Sequence, residues 1–180
     1  MARTILVTGG GASGKSRWAV SQFAACDNVL YICPGKLDDD TRNRIEYGNS
    51  KNYVQWDIRE DVTSEPYALF DKHKFAVFDN LNAYTIIVMQ EMCPDITQMN
   101  SEMEKSIEKR IINDVMGMYE QMKLIGGDIV IITLETGFSL EPADPELMAR
   151  RKILGMINQR IANVSSDVYL SASGIQFKIK

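Results

Sequence analysis

A glycine-rich segment near the start of the sequence indicates the fold class: Ile5-Leu6-Val7-Thr8-Gly9-Gly10-Gly11-Ala12-Ser13-Gly14-Lys15-Ser16. Its first four residues are typical of a short buried strand, and residues 9–16 match the pattern G-x-x-x-x-G-K-[ST]. Arg17-Trp18-Ala19-Val20 then opens a predicted helix. Glycines allow successive backbone N–H groups to point inward at phosphate oxygens, and a helix N-terminus adds partial positive charge to that cradle. The strand–loop–helix context therefore predicts a site for a nucleoside triphosphate.

Residues 9–16, called the phosphate loop from here on, combine binding with chemistry in this interpretation. The Lys15 ammonium can reach the β- and γ-phosphates, and the Ser16 hydroxyl can ligate Mg²⁺. We therefore expect ATP or GTP as substrate and Mg²⁺ as cofactor. The predicted nucleotide-binding residues of the loop are Gly9, Gly10, Gly11, Ala12, Ser13, Gly14, Lys15 and Ser16.

Length and composition indicate one globular domain spanning residues 1–180, with 45% apolar and 24% charged residues. The net charge of −4 argues against a nucleic-acid partner held by bulk electrostatics. Three widely spaced cysteines suggest neither a disulfide framework nor a zinc site. No apolar run approaches the roughly 20 residues of a membrane span, and the predicted first strand leaves no room for a signal peptide. We expect a cytoplasmic protein.

Continuous apolar runs predict strands buried on both faces at residues 29–33, 74–79 and 128–133. A brief strand is predicted at 54–56, after a polar stretch at 47–53 that we interpret as a mobile loop. Two final strands, 167–171 and 175–180, predict an antiparallel hairpin. Because helices alternate with these strands, the sequence predicts an α/β fold with a mostly parallel central sheet.

Two long helices carry the clearest periodicity. Residues 101–125 begin with capping-box spacing at Ser101 and Glu104 and end at Gly126-Gly127, and their methionine-rich apolar stripe predicts a pliable core or a subunit interface. A second helix is predicted at 146–163. The side chains expected to point inward from it are Leu147, Ile153, Leu154, Ile157 and Ile161.

Ligands of open α/β sheets bind beyond the carboxyl ends of the strands, so several polar or flexible positions are expected to meet at one edge. Pro34 and Gly35, which follow the second strand, are predicted nucleotide-binding residues. Asp79 ends a buried strand as a Walker B aspartate does, which makes it a candidate second Mg²⁺ ligand, the alternative being a helix cap. Glu135 is a candidate to orient water, bind substrate or cap a turn.

The remaining arginines and the histidine are weaker indications of a functional site. Arg44, Arg150 and Arg151 are candidate phosphate clamps, although arginines on solvated helix faces are as common. His73, the single histidine, precedes a strand and is therefore expected at the opposite edge from the nucleotide, in a surface loop.

Residues along nearly the whole chain resemble one known family. They are the phosphate loop with Arg17, then Leu30-Tyr31-Ile32, Asp39, Arg44-Ile45, Trp56, Glu60, Asp79, Glu135, Gly137, Arg151, Gly155, Asn158-Gln159-Arg160, Ala162 and Ser173-Gly174-Ile175. Together they resemble the adenosylcobinamide kinase/adenosylcobinamide-phosphate guanylyltransferase family of cobalamin biosynthesis. The resemblance implies a P-loop NTPase of RecA-like three-layer fold and a homotrimer. It also implies two reactions, phosphorylation of the hydroxyl on the aminopropanol arm of the corrinoid adenosylcobinamide, and transfer of GMP from GTP to that phosphate.

Tyr47 departs from the pattern of that family. It stands two residues after the Arg44-Ile45 pair, where the family has the histidine that becomes guanylylated. A phenol is largely protonated at neutral pH and needs a base beside it, whereas a neutral imidazole attacks phosphorus readily. We therefore expect the kinase step, with Lys15, Asp79 and Glu135 as its catalytic residues, and a weakened or lost guanylyltransferase step at Tyr47. The alternatives are a P-loop kinase for another small hydroxyl substrate and a non-catalytic nucleotide-binding protein.

Overall fold

Seven strands form one sheet in the computed structural model of this chain, which describes residues 2–70, 72–138 and 140–180. The strand order is β3-β2-β4-β5-β1-β6-β7; β1 to β6 are mutually parallel and β7 is antiparallel to β6. The strands are β1 (Thr4–Gly9), β2 (Val29–Ile32), β3 (Asp57–Arg59), β4 (Phe75–Asp79), β5 (Asp128–Ile132), β6 (Asp167–Ala172) and β7 (Ile175–Lys178). The predicted α/β class, the mostly parallel sheet and the C-terminal hairpin are confirmed.

Helices cover both faces of the sheet. They are α1 (Lys15–Gln22), α2 (Asp39–Asn52), α3 (Leu81–Met92), α4 (Ser101–Ile125) and α5 (Pro145–Val164), with short 3-10 turns at Pro66–Leu69 and Ile96–Gln98. Successive side chains of a strand point to opposite faces, so Ile5 and Val7 of β1 pack with α1 and α2, whereas Leu6 packs with α4 and α5. The sheet is thus the middle of three layers.

The apolar stripe of α4 is core. Ile107, Ile111, Val115, Met118 and Met122 are all fully buried against the sheet and the neighbouring helices. The cap of this helix differs from the prediction by one residue, because the Asn100 side chain accepts from the backbone N–H groups of Glu102 and Met103 and makes Ser101 the first helical residue. Gly126 ends the helix in the left-handed region at φ 68°, as predicted.

The prediction of a mobile loop at residues 47–53 is wrong. Helix α2 continues to Asn52, and only Tyr53 leaves the helical conformation. The Asp38 side chain caps the start of α2, and the Asn52 amide donates to Ala24 O, so contacts with other parts of the chain stabilise a segment of low apolar content. The brief strand lies at Asp57–Arg59 rather than at 54–56, because residues 57–59 are the ones that pair with β2; Trp56, just before them, is buried.

Two single-residue predictions also need correction. Leu147 is 40% exposed, because it lies in the first turn of α5, before the helix reaches the core at Ile153. His73 does lie at the amino end of β4, away from the phosphate loop, but its side chain is buried rather than in a surface loop. Its Nε2 lies 3.4 Å from an Asp57 carboxylate oxygen.

Candidate functional site

The phosphate loop joins β1 to α1 through strained backbone conformations that suit glycine. Gly14 is the N-cap of α1 and has φ 94°. At Gly9 the constraint is steric as well, since a Cβ atom there would lie 2.2 Å from Ser171 O on the neighbouring strand. The amide-rich N-terminus of α1 is thereby held at the carboxyl end of β1, as an anion cradle requires.

Lys15 points into this loop. Its Nζ donates to Gly9 O at 3.0 Å, Gly10 O at 2.6 Å and Ser13 Oγ at 3.3 Å. Burial lowers the pKa of the Lys15 ammonium, and the negative charge of Asp79 opposes that shift. A buried ammonium beside the helix N-terminus concentrates positive charge where a triphosphate is expected.

The C-terminal hairpin supports the loop from the other side. Ser13 O accepts from Ser171 Oγ at 2.8 Å and from the Gly174 N–H at 3.0 Å, and Gln176 Nε2 donates to Ser171 Oγ. We call Ser171, Gly174 and Gln176 the hairpin support. Sequence reasoning identified none of them as site residues from spacing, because Ser13 and Ser171 are 158 positions apart.

Asp79 ends β4, separated from β1 by β5, and its side chain is buried. The register places Asp79 opposite Ile132, and Ile132 opposite Val7 of β1. The Tyr31 hydroxyl donates to Asp79 Oδ2 at 2.5 Å, a partner that the sequence did not indicate. The helix-cap alternative is not what Asp79 does, because the neighbouring Asn80 caps α3 by accepting from the Ala83 N–H.

The donors near the loop fit Mg²⁺. Ser16 offers a hydroxyl and Asp79 a carboxylate, both hard oxygen ligands, and Mg²⁺ usually takes one or two such protein groups together with phosphate oxygens. Within residues 2–70, 72–138 and 140–180 there is no group of three histidine, cysteine or acidic side chains that could hold a metal ion by themselves.

Glu135 follows β5, next to the phosphate loop. Its backbone N–H donates to Gly9 O at 3.1 Å, and its Oε1 accepts from the Gly137 N–H at 2.8 Å, so it does cap a turn. Asn158 of α5 holds the two residues that precede Glu135. Its side-chain amide donates to Leu134 O and accepts from the Thr133 hydroxyl.

A cavity of about 420 Å³ lies against the phosphate loop and the start of α2. Residues 12–17, Asp38, Asp40, Thr41, Arg44 and Gly174 line it, and Arg44 pairs with Asp40 at 2.6 Å. Tyr47 lies three residues beyond Arg44, hence on the same side of α2, and is 69% exposed.

Four residues predicted for the site lie outside this cavity. Pro34 and Gly35 follow β2 as expected but are not part of its lining. Arg151 instead donates to Leu140 O at 2.6 Å, and Arg150 lines a separate small cavity.

Comparison with known proteins identifies the family. A family model described as cobinamide kinase/cobinamide phosphate guanyltransferase matches residues 5–179. The chain belongs to this family. The predicted resemblance is therefore confirmed, and the match to the cobinamide kinase/guanyltransferase family covers every element from β1 to β7.

Curated relatives are similar over their full length. The bifunctional adenosylcobalamin biosynthesis protein CobU of Escherichia coli K12 is 26% identical over 187 residues, which cover 98% of this chain and 99% of the relative. The corresponding protein of Salmonella typhimurium LT2 is 27% identical with the same coverage.

A solved structure supports the fold alone. A unique ATP synthase subunit, NeqB from Nanoarcheaum equitans, matches with a TM-score of 0.54 at 12% identity, over 94% of this chain and 45% of that one. This likeness covers nearly the whole chain and supports the α/β fold with its mostly parallel sheet. In the described part of the chain, no helix is both long and apolar enough to cross a membrane.

Proposed function

We propose that this chain phosphorylates the hydroxyl of cobinamide from ATP or GTP and has a weakened or lost guanylyltransferase step. The observation that carries the kinase assignment is the buried Lys15 ammonium, held inside a glycine loop at the start of α1 with Asp79 nearby. Family membership supplies the substrate class, since the matching model is described by both activities.

Phosphoryl transfer is catalysed mainly by positioning and by charge neutralisation. In this proposal the loop N–H groups and Lys15 bind the β- and γ-phosphates, and Ser16 and Asp79 hold Mg²⁺. The ion, when bound, neutralises charge on the transferred group. Lys15 exchanges its bonds to the carbonyls of Gly9 and Gly10 for bonds to phosphate oxygens, and the hairpin support keeps the loop in place while it does so.

Tyr47 is the basis for separating the two family reactions. A histidine at this position would offer a neutral nucleophile, whereas the phenol requires deprotonation before it can attack phosphorus. The structure around Tyr47 supports the proposal, because its side chain is 69% exposed and none of the described residues forms a hydrogen bond with its hydroxyl. The cytoplasmic location and the homotrimer stay predictions.

The decisive experiment is incubation of the purified protein with cobinamide, Mg²⁺ and ATP or GTP, followed by mass spectrometry of corrinoids and intact protein. We expect cobinamide phosphate without cobinamide-GDP, and no phosphorylated corrinoid from Lys15→Ala. A nucleotide adduct on the protein, or cobinamide-GDP as product, would contradict the claim about Tyr47. If nucleotide binds but no corrinoid reacts, the acceptor is a different hydroxyl compound or the protein is not a kinase.

A further inference from the structure

A second cavity, larger than the one at the phosphate loop, lies on the opposite face of the sheet. It has a volume of about 640 Å³ and is bounded by β1, β6 and helix α5; we call it the α5 cavity. Its walls are mainly apolar and include Leu6, Met148, Met156, Ala162, Val168 and Ile179. Cavities of this size and polarity accommodate organic groups of drug-like size.

The α5 cavity has a polar end directly beside the phosphate loop. Thr8 and Glu135 both line it. Thr8 directly precedes Gly9, the first residue of the phosphate loop. The Gly9 carbonyl accepts from both Lys15 Nζ and the Glu135 N–H, so the polar end of the cavity adjoins the loop. The Thr8 hydroxyl is buried and has no hydrogen-bond partner among the described residues. An unpaired buried hydroxyl is costly, so this end of the cavity offers a hydrogen-bond partner to a polar group that enters it, whether water or a ligand hydroxyl.

One side of the cavity borders the apolar edge of the sheet, and because Phe177 pairs with Leu170, which pairs with Thr8, this edge extends to the level of the polar end. Ile179 lines the cavity, and the alternation of side chains places Phe177 and Ile175 on the same face of the hairpin. Both are more than half exposed. A ligand longer than the cavity would therefore find an apolar surface to contact where it leaves the interior.

We propose that the α5 cavity binds the phosphoryl acceptor, a large amphipathic alcohol whose hydroxyl-bearing arm enters the cavity while its bulk stays on the apolar hairpin surface. The proposal rests on the proposed kinase function and adds where its acceptor binds. The arm lies among the apolar walls, and its hydroxyl reaches the polar end, where the Thr8 hydroxyl and the Glu135 carboxylate hydrogen-bond to it.

The reaction at this end balances without any further reactant. The acceptor oxygen forms a bond to the γ-phosphorus, and the bond between that phosphorus and the β–γ bridging oxygen breaks. The electron pair leaves with the nucleoside diphosphate, and the proton of the acceptor hydroxyl passes to the Glu135 carboxylate. The two cavities thus bring donor and acceptor to the carboxyl end of β1 from opposite faces of the sheet.

Gly155 provides the test. It lies on α5, lines the cavity, and has no atom within 4 Å of the position of an added Cβ, so Gly155→Leu fills the cavity without a backbone clash. Ala162→Phe fills it from two turns further along the same helix face. Asn163→Leu is the matched control, because Asn163 is an exposed residue of α5 outside the cavity lining.

The measurements are equilibrium dialysis of cobinamide, titration of ATP and GTP by calorimetry, and thermal melting of each variant. We expect Gly155→Leu and Ala162→Phe to weaken cobinamide binding at least about tenfold, in the range that changes in pocket volume produce, with nucleotide affinity unchanged. Asn163→Leu should bind both ligands as the unmodified chain does. If one filled variant fails to fold, the other gives the result.

Three other outcomes would contradict the assignment of the α5 cavity to the acceptor. Unchanged cobinamide binding in a folded, filled variant would overturn the cavity assignment and leave the kinase proposal intact. Loss of ATP or GTP affinity instead would assign the cavity to the nucleotide, and a changed oligomeric mass with unchanged cobinamide affinity would assign it to a subunit interface. If the unmodified chain neither binds nor phosphorylates cobinamide, the proposed function itself fails, and the acceptor proposal with it.

Discussion

Tyr31 and Asp79 form the shortest polar contact near the phosphate loop, a hydroxyl-to-carboxylate hydrogen bond of 2.5 Å between adjacent strands β2 and β4. Hydrogen bonds to charged acceptors are short and strong, so this one fixes the carboxylate that we assign to Mg²⁺. Burial, together with the nearby Asp79 charge, raises the pKa of the Tyr31 hydroxyl well above its ordinary value, which keeps the donor proton in place. Tyr31 thus positions Asp79.

Replacing Tyr31 with phenylalanine should raise the Mg²⁺ concentration needed for tight nucleotide binding severalfold, because Asp79 loses its orienting donor. The measurement is a Mg²⁺ titration with a fluorescent ATP analogue. Tyr84→Phe is a matched control, since Tyr84 donates to a second buried carboxylate, that of Asp114, at 2.7 Å and far from the loop in sequence. Both variants should lose about 1–3 kcal/mol of stability. Equal Mg²⁺ midpoints for the two variants would refute a positioning role for Tyr31.

The neighbouring strand β6 excludes a side chain at Gly9, independently of any bound nucleotide. In Gly9→Ala the new methyl group would lie 2.2 Å from Ser171 O, so β1 and β6 must separate, and we expect a loss of about 1–3 kcal/mol in the free energy of unfolding. Gly10→Ala, where no atom lies within 4 Å of an added Cβ, should lose much less. Urea unfolding without nucleotide measures both, and equal losses would contradict the steric argument.

At the scale of the elements, β6 and β7 act as one unit that contacts the phosphate loop. Ser171 of β6 and Gly174 of the turn both donate to Ser13 O, through a side-chain hydroxyl and a backbone N–H respectively. A carbonyl that accepts two hydrogen bonds is fixed in direction, so its peptide plane, and with it the next N–H group of the cradle, is held for phosphate binding.

Ser171→Ala should weaken ATP binding about threefold to tenfold, the cost of one neutral hydrogen bond, since Ser13 O keeps the Gly174 donor. Ser173→Ala, at an exposed position of the same turn, is the control and should bind ATP normally. Calorimetric titration at fixed Mg²⁺ gives both affinities. If Ser171→Ala binds ATP as tightly as the unmodified chain, the hairpin does not support the loop.

The same elements illustrate what could be predicted from the sequence. Strand β1, the phosphate loop and the stripe of α4 follow from local patterns, and all three have the predicted form. The C-terminal part of α2 could not be predicted in this way. Its polar residues are typical of a loop, and the contact of Asn52 with Ala24 O that stabilises the helix joins residues distant in sequence. Tyr31 and Ser171 were missed for a related reason, since their partners are set by strand order, which periodicity does not contain.

In the molecule as a whole, an ion pair between Arg160 and Glu108 links the neighbouring helices α5 and α4. Arg160 Nε lies 2.6 Å from a carboxylate oxygen of Glu108, whose side chain is 4% exposed, whereas that of Arg160 is 64% exposed. Removing the partner of a buried charge is far more costly than replacing both members of the pair.

Arg160→Ala should therefore destabilise the chain by about 2 kcal/mol, at the lower end for buried pairs because Arg160 itself is accessible to water. The double variant Glu108→Met with Arg160→Ala should recover most of that loss. Urea unfolding of the single and double variants measures the difference. A double variant that is less stable than Arg160→Ala alone would show that the carboxylate is not the source of the cost.

The position of β1 between β5 and β6 has a consequence for the order in which the chain folds. The strands on both sides of the phosphate loop and the two donors to Ser13 O come from residues 128–174. Ser13 and Ser171 are 158 positions apart, so these contacts form only when distant parts of the chain meet, which is slow compared with local folding. We therefore expect the phosphate loop to acquire its native shape late, after β5 and the C-terminal hairpin have joined the sheet.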